Sequence, residues 1–453
     1  MNLKDKEVLV MGLGISGIWT VKTLHKLGAI ITITDRRQGG DLIESLNKIK
    51  EIPTKKYLGT DNIDLDNIDL IIKSPGIPPK SKIIKKALDQ NISVINDIEL
   101  GFNLLQSKNI IAITGTNGKT TTTSLVGEIF KKQIANTYIV GNIGVSILEN
   151  IMSIGREDAV IIEASSFQLE HIKDFKPKIS LILNLSPDHI DWHGSYENYI
   201  NAKKQICKNQ DNNDYTILNY DDEIVRRFEK ETDANVIWFS VNNILESGIY
   251  IYKDKIIIKD ASEEIQIMSI EDLKIIGRHN LENVLASIGI AYASGLNMEK
   301  VKSSLISFKG IEHRLEFVTN KKNRYFYNDS KGTNPEASIK AIEAIKEPII
   351  LIAGGYDKDG QFDEFIKSFD NKVKALVLLG QTKERIKNTA LEYGFKENYL
   401  VENIKNAVNL AYELSEEGDN ILLSPACASW DMFNSFEERG RAFKKAVYDL
   451  REE

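Results

Sequence analysis

Cysteine is scarce in this chain, with only Cys207 and Cys427 among 453 residues. Two cysteines so far apart form no disulfide framework, and we therefore expect a reducing, cytoplasmic environment. They also offer no thiolate cluster for zinc, so any metal ion would be held by other ligands.

Long apolar segments and an excess of basic charge are missing as well. No segment approaches the roughly 20 consecutive apolar residues that span a bilayer, so we expect no membrane insertion. We also expect no signal peptide, because the first residues lack an apolar region and a cleavage site. The chain carries 58 basic and 65 acidic side chains, a formal net charge of -7. This balance gives no general positive field for nucleic acid, whereas a local basic pocket for a phosphorylated small molecule is compatible with it.

Short apolar runs alternate with helical patterns along the whole chain, for example at residues 8–11, 110–113 and 349–352. Continuous apolar runs with helices between them are typical of buried parallel strands, so the predicted fold class is α/β. The length suggests roughly three domains. We expect a first domain at residues 1–97, a central domain at 98–310 and a C-terminal domain at 311–453.

A glycine loop follows the first apolar run, with Gly12, Gly14 and Gly17 in the spacing of a dinucleotide-binding fingerprint. Asp35 ends the next apolar run about 20 residues on, where that fingerprint places an acidic residue. Taken alone, the pattern indicates an NAD-dependent oxidoreductase. The pattern is compatible with nucleotides other than NAD, because glycines let any nucleotide diphosphate approach backbone N–H groups at a helix N-terminus. A glycine turn without a ligand is the plain alternative.

Two neighbouring segments strengthen the nucleotide interpretation of this loop. Arg36 and Arg37 follow Asp35 and offer guanidinium groups to phosphate. The Ser-Pro-Gly segment at residues 74–76 ends another apolar run and would face the same crevice.

A second glycine loop, Thr-Gly-Thr-Asn-Gly-Lys-Thr-Thr at residues 114–121, lies between an apolar strand and a helix. Gly118, Lys119 and Thr120 form the core of a phosphate-binding loop. In such a loop backbone N–H groups hold phosphates, the lysine neutralises charge and the threonine reaches Mg²⁺. The first glycine of the full pattern is replaced by Ile113. The strand before the loop and the helix after it favour a phosphate site over a plain loop.

Polar side chains follow further strand-like runs in the central block. Glu163 ends one run, where an α/β nucleotide site holds Mg²⁺, although a helix-capping carboxylate is the alternative. His189 follows the next run, and a metal or phosphate role is weighed against a satisfied turn histidine. Asn142 and Lys203 have plain interpretations as well, an ordinary turn residue and a solvated helical lysine.

Together these motifs resemble the Mur ligase family, ATP-dependent amide-bond ligases of peptidoglycan synthesis, over essentially the whole chain. The matching segments follow the family's order at residues 114–121, 141–144, 163–170, 188–191, 202–203, 277–280 and 313–314. In the last block, residues 328–334, 423–429 and 436–440 resemble the member that adds D-glutamate. The resemblance implies three domains: a Rossmann-like UDP-binding domain, a central P-loop ATPase-like domain and a C-terminal Rossmann-like domain.

The resemblance also implies a reaction. D-glutamate would be joined to UDP-N-acetylmuramoyl-L-alanine at the expense of ATP, through an acyl phosphate, by a cytoplasmic monomer. Mg²⁺ at two sites and a CO₂-derived carbamate on Lys203 would take part, because a carbamate turns a cation into an anionic oxygen ligand. Lys119, His189, Lys203 and Arg314 would be the catalytic residues.

The implied binding residues follow the motifs position by position. The UDP-substrate would contact Ile15, Ser16, Asp35, Arg37, Ser74, Gly76, Asn142 and Ser165. ATP would contact Gly115, Asn117, Gly118, Lys119, Thr120, Thr121, Asn280, Asn283, Arg314 and Asp329. D-glutamate would contact Lys331, Thr333, Lys358, Ser429 and Phe436. The metal ions would be held by Thr120, Glu163, His189 and Lys203.

Two positions depart from the family pattern. Gly332 stands where alanine is common, and Trp430 stands where a smaller aliphatic residue can occur beside the D-glutamate pocket, which it would reshape. The alternatives are a Mur ligase that adds L-lysine or diaminopimelate, a ligase similar to folylpolyglutamate synthase, and a non-enzymatic ATP-binding regulator.

Overall fold

The computed structural model describes residues 1–60, 62–261, 263–275, 277–357 and 361–450. The chain divides into two compact units. The first unit comprises Met1–Asp272 and Leu281–Ile306, and the second comprises Leu273–Asn280 and Ser307–Glu453. Within the described residues, no helix is both long and apolar enough to cross a membrane.

The first sheet lies at the start of the first unit and alternates strands with helices. Its strands are β1 (Glu7–Met11), β2 (Ile30–Asp35), β3 (Lys55–Leu58), β4 (Leu70–Lys73) and β5 (Ser93–Asn96). The helices are α1 (Ile15–Lys26), α2 (Ile43–Asn47), α3 (Lys82–Asp89) and α4 (Asp97–Leu104). In the described residues these strands are parallel and follow the order β3-β2-β1-β4-β5. The order reverses between β1 and β4, and ligands bind at such a point beyond the carboxyl ends of the strands.

The second sheet completes the first unit. Its strands are β6 (Asn109–Thr114), β7 (Thr137–Gly141), β8 (Ala159–Glu163), β9 (Ile179–Ile182), β10 (Tyr215–Asn219), β11 (Asn235–Ser240), β12 (Gly248–Tyr252), β13 (Lys255–Lys259) and β14 (Glu264–Ser269). The helices are α5 (Lys119–Lys131), α6 (Ser166–Leu169), α7 (Ile190–His193), α8 (Tyr196–Lys204), α9 (Glu223–Arg226), α10 (Arg278–Ala293) and α11 (Met298–Ser307). Short 3₁₀ helices occur at Gly39–Leu42, Ile147–Glu149, Gln205–Cys207, Arg227–Glu231 and Ile270–Asp272.

The strand order of this sheet places the second glycine loop between two other strand ends. The order is β14-β13-β12-β11-β10-β9-β6-β8-β7, and β6 pairs in parallel with both β8 and β9. The loop after β6, Glu163 at the end of β8 and the segment after β9 therefore share one edge of the sheet. The strands from β12 to β14 pair antiparallel, as hairpins do.

Buried polar side chains fasten the first sheet to the second. The side-chain oxygen of Asn96 caps α4, and its amide nitrogen donates to the carbonyl of Gln168. Both carboxylate oxygens of Glu99 accept backbone N–H groups of residues 173–175, at 2.8–3.1 Å. One continuous apolar core also contains side chains from both sheets. Because three N–H groups satisfy the Glu99 carboxylate, its burial costs little free energy, and it holds the first sheet to the second.

The second unit contains the third sheet. Its strands are β15 (Glu316–Lys321), β16 (Arg324–Asn328), β17 (Ile349–Ala353), β18 (Val373–Leu378), β19 (Asn398–Leu400) and β20 (Asn420–Leu423). The helices are α12 (Pro335–Ala344), α13 (Asp363–Lys367), α14 (Lys383–Glu392), α15 (Ile404–Leu414) and α16 (Phe436–Asp449). The strand order is β15-β16-β20-β17-β18-β19, parallel except for β15.

The predicted α/β fold class with three sheets is confirmed. The apolar runs predicted as parallel strands form the centres of the sheets, and their side chains are buried. The sequence boundaries that we predict for the three domains stay predictions.

Candidate active site

A crevice opens at the point where the strand order of the first sheet reverses. It has a volume of about 490 Å³ and lies at the carboxyl ends of β1, β2 and β4. Six of the predicted UDP-substrate residues line it. They are Ile15, Ser16, Asp35, Arg37, Ser74 and Gly76. Ile15 is exposed here although it is apolar, so its side chain is available to a flat ring of a ligand.

Asp35 holds the glycine loop of this crevice in place. Its Oδ2 accepts the backbone N–H of Leu13 at 2.8 Å, and both oxygens accept N–H groups from Arg37 at 2.8–3.0 Å. Burial raises the pKa of Asp35, but the hydrogen bonds from Arg37 and Leu13 outweigh it and hold the pKa below its ordinary value. The carboxylate is therefore charged at neutral pH and keeps the Arg37 guanidinium at the crevice.

The two walls of the crevice rest on further buried polar groups. Ser16 Oγ donates to Asp97 Oδ2 at 2.5 Å, and Ser74 Oγ donates to the carbonyl of Gly12 at 3.1 Å. Lys73 is fully buried, and its ammonium donates to the carbonyl of Ile77 at 3.0 Å, which holds the turn at residues 74–77. Burial lowers the pKa of Lys73 to about 8.

The second glycine loop connects β6 to α5 and has the geometry of a phosphate-binding loop. Gly118 precedes the helix with a φ of 83°, in the left-handed region that favours glycine. A Cβ atom there would lie 2.3 Å from Asn283 Oδ1, which accepts from Thr122 Oγ1 at 3.1 Å. Asn117 N donates to Asn184 Oδ1 at 2.8 Å, so the loop is held from two directions.

Lys119 lies against the loop that it would serve. Its ammonium donates to the carbonyls of Gly115 and Thr116 at 2.8 and 2.9 Å. A long lysine side chain has the rotamers to exchange these carbonyls for phosphate oxygens. Thr120 and Thr121 follow it in the first turn of α5, where the positive end of the helix dipole favours an anion.

Lys203 is not the solvated lysine that the sequence alone favours. Its side chain is 1 % exposed, and its ammonium donates to Gly115 O at 2.8 Å and Thr114 Oγ1 at 3.3 Å. It also lies 4.9 Å from the ring centre of Tyr199. Burial, followed by repulsion from Lys119, lowers the pKa of Lys203 well below its ordinary value. The structure thus holds a weakly basic amine directly beside the phosphate loop.

Glu163 ends β8 beside this loop and is equally buried, with 1 % of its surface exposed. Its Oε1 accepts from Asn142 Nδ2 at 2.8 Å, whereas its buried Oε2 has no hydrogen-bond partner among the described residues. The helix-capping alternative is wrong, because Ser165 caps α6. A buried carboxylate oxygen without a donor is unfavourable unless a cation reaches it.

His189 and Ser165 complete this edge of the second sheet. His189 has a φ of 51°, its ring centre lies 4.8 Å from that of Phe167, and half of its side chain is exposed. Its Nε2 is 3.5 Å from Asp188 Oδ2. Ser165 is buried at the start of α6, where its backbone N–H and hydroxyl donate to Gln168 Oε1. Asn142 and Ser165 therefore lie by the phosphate loop, while the other predicted UDP-substrate residues line the crevice.

The predicted ATP residues of the second unit include Asp329, at the carboxyl end of β16, and Arg314, whose charge acts on it. Asp329 accepts Ser424 Oγ at 2.7 Å and the backbone N–H of Leu315 at 3.2 Å. Burial raises the pKa of Asp329 to about 7, against the lowering effect of these bonds and of Arg314. Asn280 lies in the first turn of α10.

The predicted D-glutamate residues follow β16 and β20, which are neighbours in the third sheet. The Lys331 ammonium lies 4.8 Å from the ring centre of Phe436. Ser429 is buried after β20, and Thr333 is half-buried after β16. Trp430 is 62 % exposed, and its ring centre lies 5.7 Å from that of Tyr356. Lys358 lies outside the described residues.

Three residues without a predicted role organise these sites. Arg439 is buried and donates to Ser330 and to the carbonyls of Cys427 and Ala428 at 2.8–3.1 Å, which joins the segments that bear Lys331 and Ser429. Tyr199 and Asn184 support the phosphate loop. Tyr199 precedes Lys203 by four residues, and this i,i+4 spacing on one helix was the available signal.

These two glycine loops and the strand-end carboxylate define a nucleotide-binding α/β protein, and comparisons with known proteins identify the family. The chain matches the profiles of the Mur ligase MurD-like N-terminal domain over residues 6–96, the Mur ligase middle domain over 113–291 and the Mur ligase glutamate ligase domain over 313–427. The chain belongs to the Mur ligase family.

Full-length relatives and a solved structure agree with this assignment. Proteins named UDP-N-acetylmuramoylalanine--D-glutamate ligase from Caldanaerobacter subterraneus and Clostridioides difficile are 48% and 46% identical, over 100% of both chains in each case. The crystal structure of UDP-N-acetylmuramate-alanine ligase MurC from Thermotoga maritima has a TM-score of 0.58 at 20% identity. It covers 98% of this chain and 100% of its own, and this likeness concerns the fold.

Proposed function

We propose that the chain is an ATP-dependent amide-bond ligase that adds D-glutamate to UDP-N-acetylmuramoyl-L-alanine in peptidoglycan precursor synthesis. The observation that carries this proposal is the similarity, over the full length of both chains, to relatives named as D-glutamate ligases. Under this proposal the first glycine loop is a UDP site and not the NAD site of an oxidoreductase. The reaction would take place in the cytoplasm and require only one copy of the chain.

The reaction would begin with phosphoryl transfer. The γ-phosphoryl group of ATP would pass to the carboxylate of the L-alanine residue, which releases ADP and forms an acyl phosphate. Several anions must meet in this step, and their repulsion has to be offset by positive groups. Lys119 and the N-terminal turn of α5 offer these groups at the phosphate loop, and Arg314 is the candidate from the second unit.

The second step would form the amide bond. The neutral amine of D-glutamate would attack the acyl phosphate, and the tetrahedral intermediate would collapse to the amide and inorganic phosphate, with loss of the amine proton. Lys331, Thr333, Ser429 and Phe436 are the candidates for binding D-glutamate, and Lys358 remains part of that prediction. The buried Arg439 supports this assignment, because it joins the segments that carry Lys331 and Ser429.

The residues beside the phosphate loop fit a divalent cation. Oxygen ligands suit Mg²⁺, and Glu163 has a buried carboxylate oxygen that lacks a donor among the described residues. Thr120 and Glu163 would hold one ion, and His189 and a modified Lys203 would hold the second. When bound, Mg²⁺ would neutralise phosphate charge and orient the transferred group.

The environment of Lys203 supports the carbamate prediction. Only a neutral amine attacks CO₂, and burial, followed by repulsion from Lys119, lowers the pKa of Lys203 well below its ordinary value, which favours the neutral form. The amine would form an N–C bond to CO₂ and release one proton. The product is an anion, which removes the buried repulsion between two ammonium groups and suits a hard cation.

The experiment that tests the proposed function measures phosphate release by the purified protein. ATP, Mg²⁺ and UDP-N-acetylmuramoyl-L-alanine are supplied with D-glutamate, L-glutamate, L-lysine or meso-diaminopimelate in separate reactions. We expect release with D-glutamate alone, together with a product whose mass shows the new amide. Release with another amino acid would overturn the acceptor, and no release in any reaction, with ATP still bound, would favour the non-enzymatic regulator.

A further inference from the structure

Arg314 lies in a segment with unusual backbone geometry. The residues on both sides of it have left-handed conformations, with φ of 68° at His313 and 43° at Leu315. Neither is glycine, so each conformation costs free energy and persists only where the surroundings impose it. Such strain commonly occurs where a functional side chain must be presented in one direction.

Backbone hydrogen bonds hold this segment on three sides. His313 N donates to Glu316 Oε2 at 3.0 Å, and Leu315 N donates to Asp329 Oδ1 at 3.2 Å. The carbonyl of His313 accepts from Lys331 N at 3.0 Å. The bond from His313 N depends on the position of the Glu316 carboxylate, which is only one-fifth exposed.

The ammonium of Lys444 fixes that carboxylate from α16. Its Nζ lies 2.9 Å from Glu316 Oε1 and 2.5 Å from Glu312 Oε1, and its side chain is 19% exposed. Asn328 Nδ2 completes the arrangement at 2.9 Å from both His313 Nδ1 and Glu316 Oε2. Glu312, His313 and Glu316 have the spacing of a metal site, with ligand atoms within 4.8 Å of one another, but the lysine already supplies the positive charge there.

We propose that Lys444 is a positioning residue for ATP phosphate binding, which acts through Glu316 to hold the strained segment that presents Arg314. The inference rests on the proposed function, in which Arg314 contacts a phosphate of ATP. Without the ammonium, Glu312 and Glu316 repel each other beside a buried imidazole, and the hydrogen bond that imposes the left-handed turn at His313 weakens.

The first test compares two adjacent lysines of α16. We expect Lys444→Met to raise KM for ATP about tenfold, because a displaced positioning group weakens phosphate binding, and to leave KM for the UDP-substrate within twofold. Lys445→Met is the matched control, since Lys445 is exposed and its ammonium pairs with Asp449 at 2.9 Å on the same helix. Lys444→Arg keeps the charge and should recover most of the wild-type KM for ATP.

A double-mutant cycle with Glu316→Gln separates positioning from general stability. If both residues act through one contact, the double variant has the same KM for ATP as Lys444→Met alone. Multiplicative effects, or a Lys444→Met protein with the KM of the Lys445→Met control, would overturn the proposal. If Lys444→Met does not fold, as urea denaturation would show, Glu316→Gln alone decides by the same KM. Failure of the proposed function has a different signature, namely no D-glutamate-dependent phosphate release by the wild-type protein.

Discussion

The two glycine loops of the first unit are alike in their place in the fold and different in their surroundings. Each follows a buried parallel strand and precedes a helix, after β1 in one case and after β6 in the other. At the first loop the neighbouring strand contributes Asp35, which binds the loop and Arg37. At the second, the loop itself contributes Lys119, and the neighbouring strand ends in Glu163.

This difference shows that a glycine loop defines a place for phosphate and little more. The backbone N–H groups and the helix dipole accept any phosphorylated ligand. The fate of the bound nucleotide depends on the groups that adjacent strand ends add. At the first loop, the Asp35 carboxylate already accepts hydrogen bonds from Arg37 and from the loop, which suits a nucleotide that is bound and does not react. A buried lysine, together with a buried carboxylate that can still accept a cation, suits a nucleotide that reacts.

Removing Lys203, the buried lysine beside the second loop, should have the largest effect. We expect Lys203→Ala to lower D-glutamate-dependent phosphate release at least about 100-fold, because it removes the residue proposed to hold the second Mg²⁺ beside the phosphate loop. Lys204→Ala is the neighbouring control, since Lys204 pairs with Glu231 and not with the loop. Activity of Lys203→Ala within threefold of the wild type, without added carboxylates, would remove the reactive character assigned to this loop.

Two glycines at the first loop, Gly14 and Gly17, should differ in how strongly a substitution lowers the stability of the fold. A Cβ on Gly17 would lie 1.8 Å from the carbonyl oxygen of Gly12, a backbone atom that cannot move aside. We expect Gly17→Ala to lower the free energy of unfolding by about 2 kcal/mol, measured by urea denaturation. Gly14→Ala meets open space within 4 Å, so its stability should change by less than about 0.5 kcal/mol. Equal destabilisation by both changes would contradict this account.

Asp35→Asn should weaken the binding of the UDP-substrate at the first loop. The amide keeps the shape but loses the charged partner of Arg37 and of the loop. We expect KM for the UDP-substrate to rise about tenfold, in line with a lost charged hydrogen bond, with kcat unchanged. An equal fall in kcat would mean that the first loop takes part in the chemistry.

The same carboxylate should give a small pH dependence of stability. The pKa of Asp35 is lower in the folded chain than its ordinary 3.8, so the folded state prefers the charged form. Its contribution is therefore complete above about pH 5 and is lost as the pH falls through 3.8 and then through the lowered pKa. The difference in unfolding free energy between wild type and Asp35→Asn should show this loss, and a difference that grows on acidification would contradict it.

Sequence patterns predicted the local features of this molecule well. Buried strands, the two glycine loops and the strand-end position of Glu163 follow from runs of a few residues. The pairing of β6 with β8 then places the second loop and Glu163 at the same end of the second sheet. The burial of Lys203 did not follow, because on α8 it stands beside Lys204 in a polar pattern, and only the packing of Tyr199 and the phosphate loop encloses it.

The second unit shows the same limit. Arg439 has the sequence context of a surface residue on α16, and its role depends on carbonyls at Ser330, Cys427 and Ala428, which come from two other segments of the chain. The antiparallel strands from β12 to β14 likewise depend on pairing partners and not on periodicity alone. Long-range hydrogen bonds of this kind leave no regular spacing in a sequence.

The hydrogen bonds of Asn96 and Glu99 give the first unit a fixed distance between its two sheets. Because those side chains lock the sheet that carries the first crevice to the sheet that carries the phosphate loop, the gap between the two is set by the protein. Under the proposed function, a precursor whose UDP end is bound in the crevice would reach the phosphate loop only if its length matches that gap. Shorter and longer precursors of the same chemistry would then be excluded because their reactive group does not reach the phosphate loop.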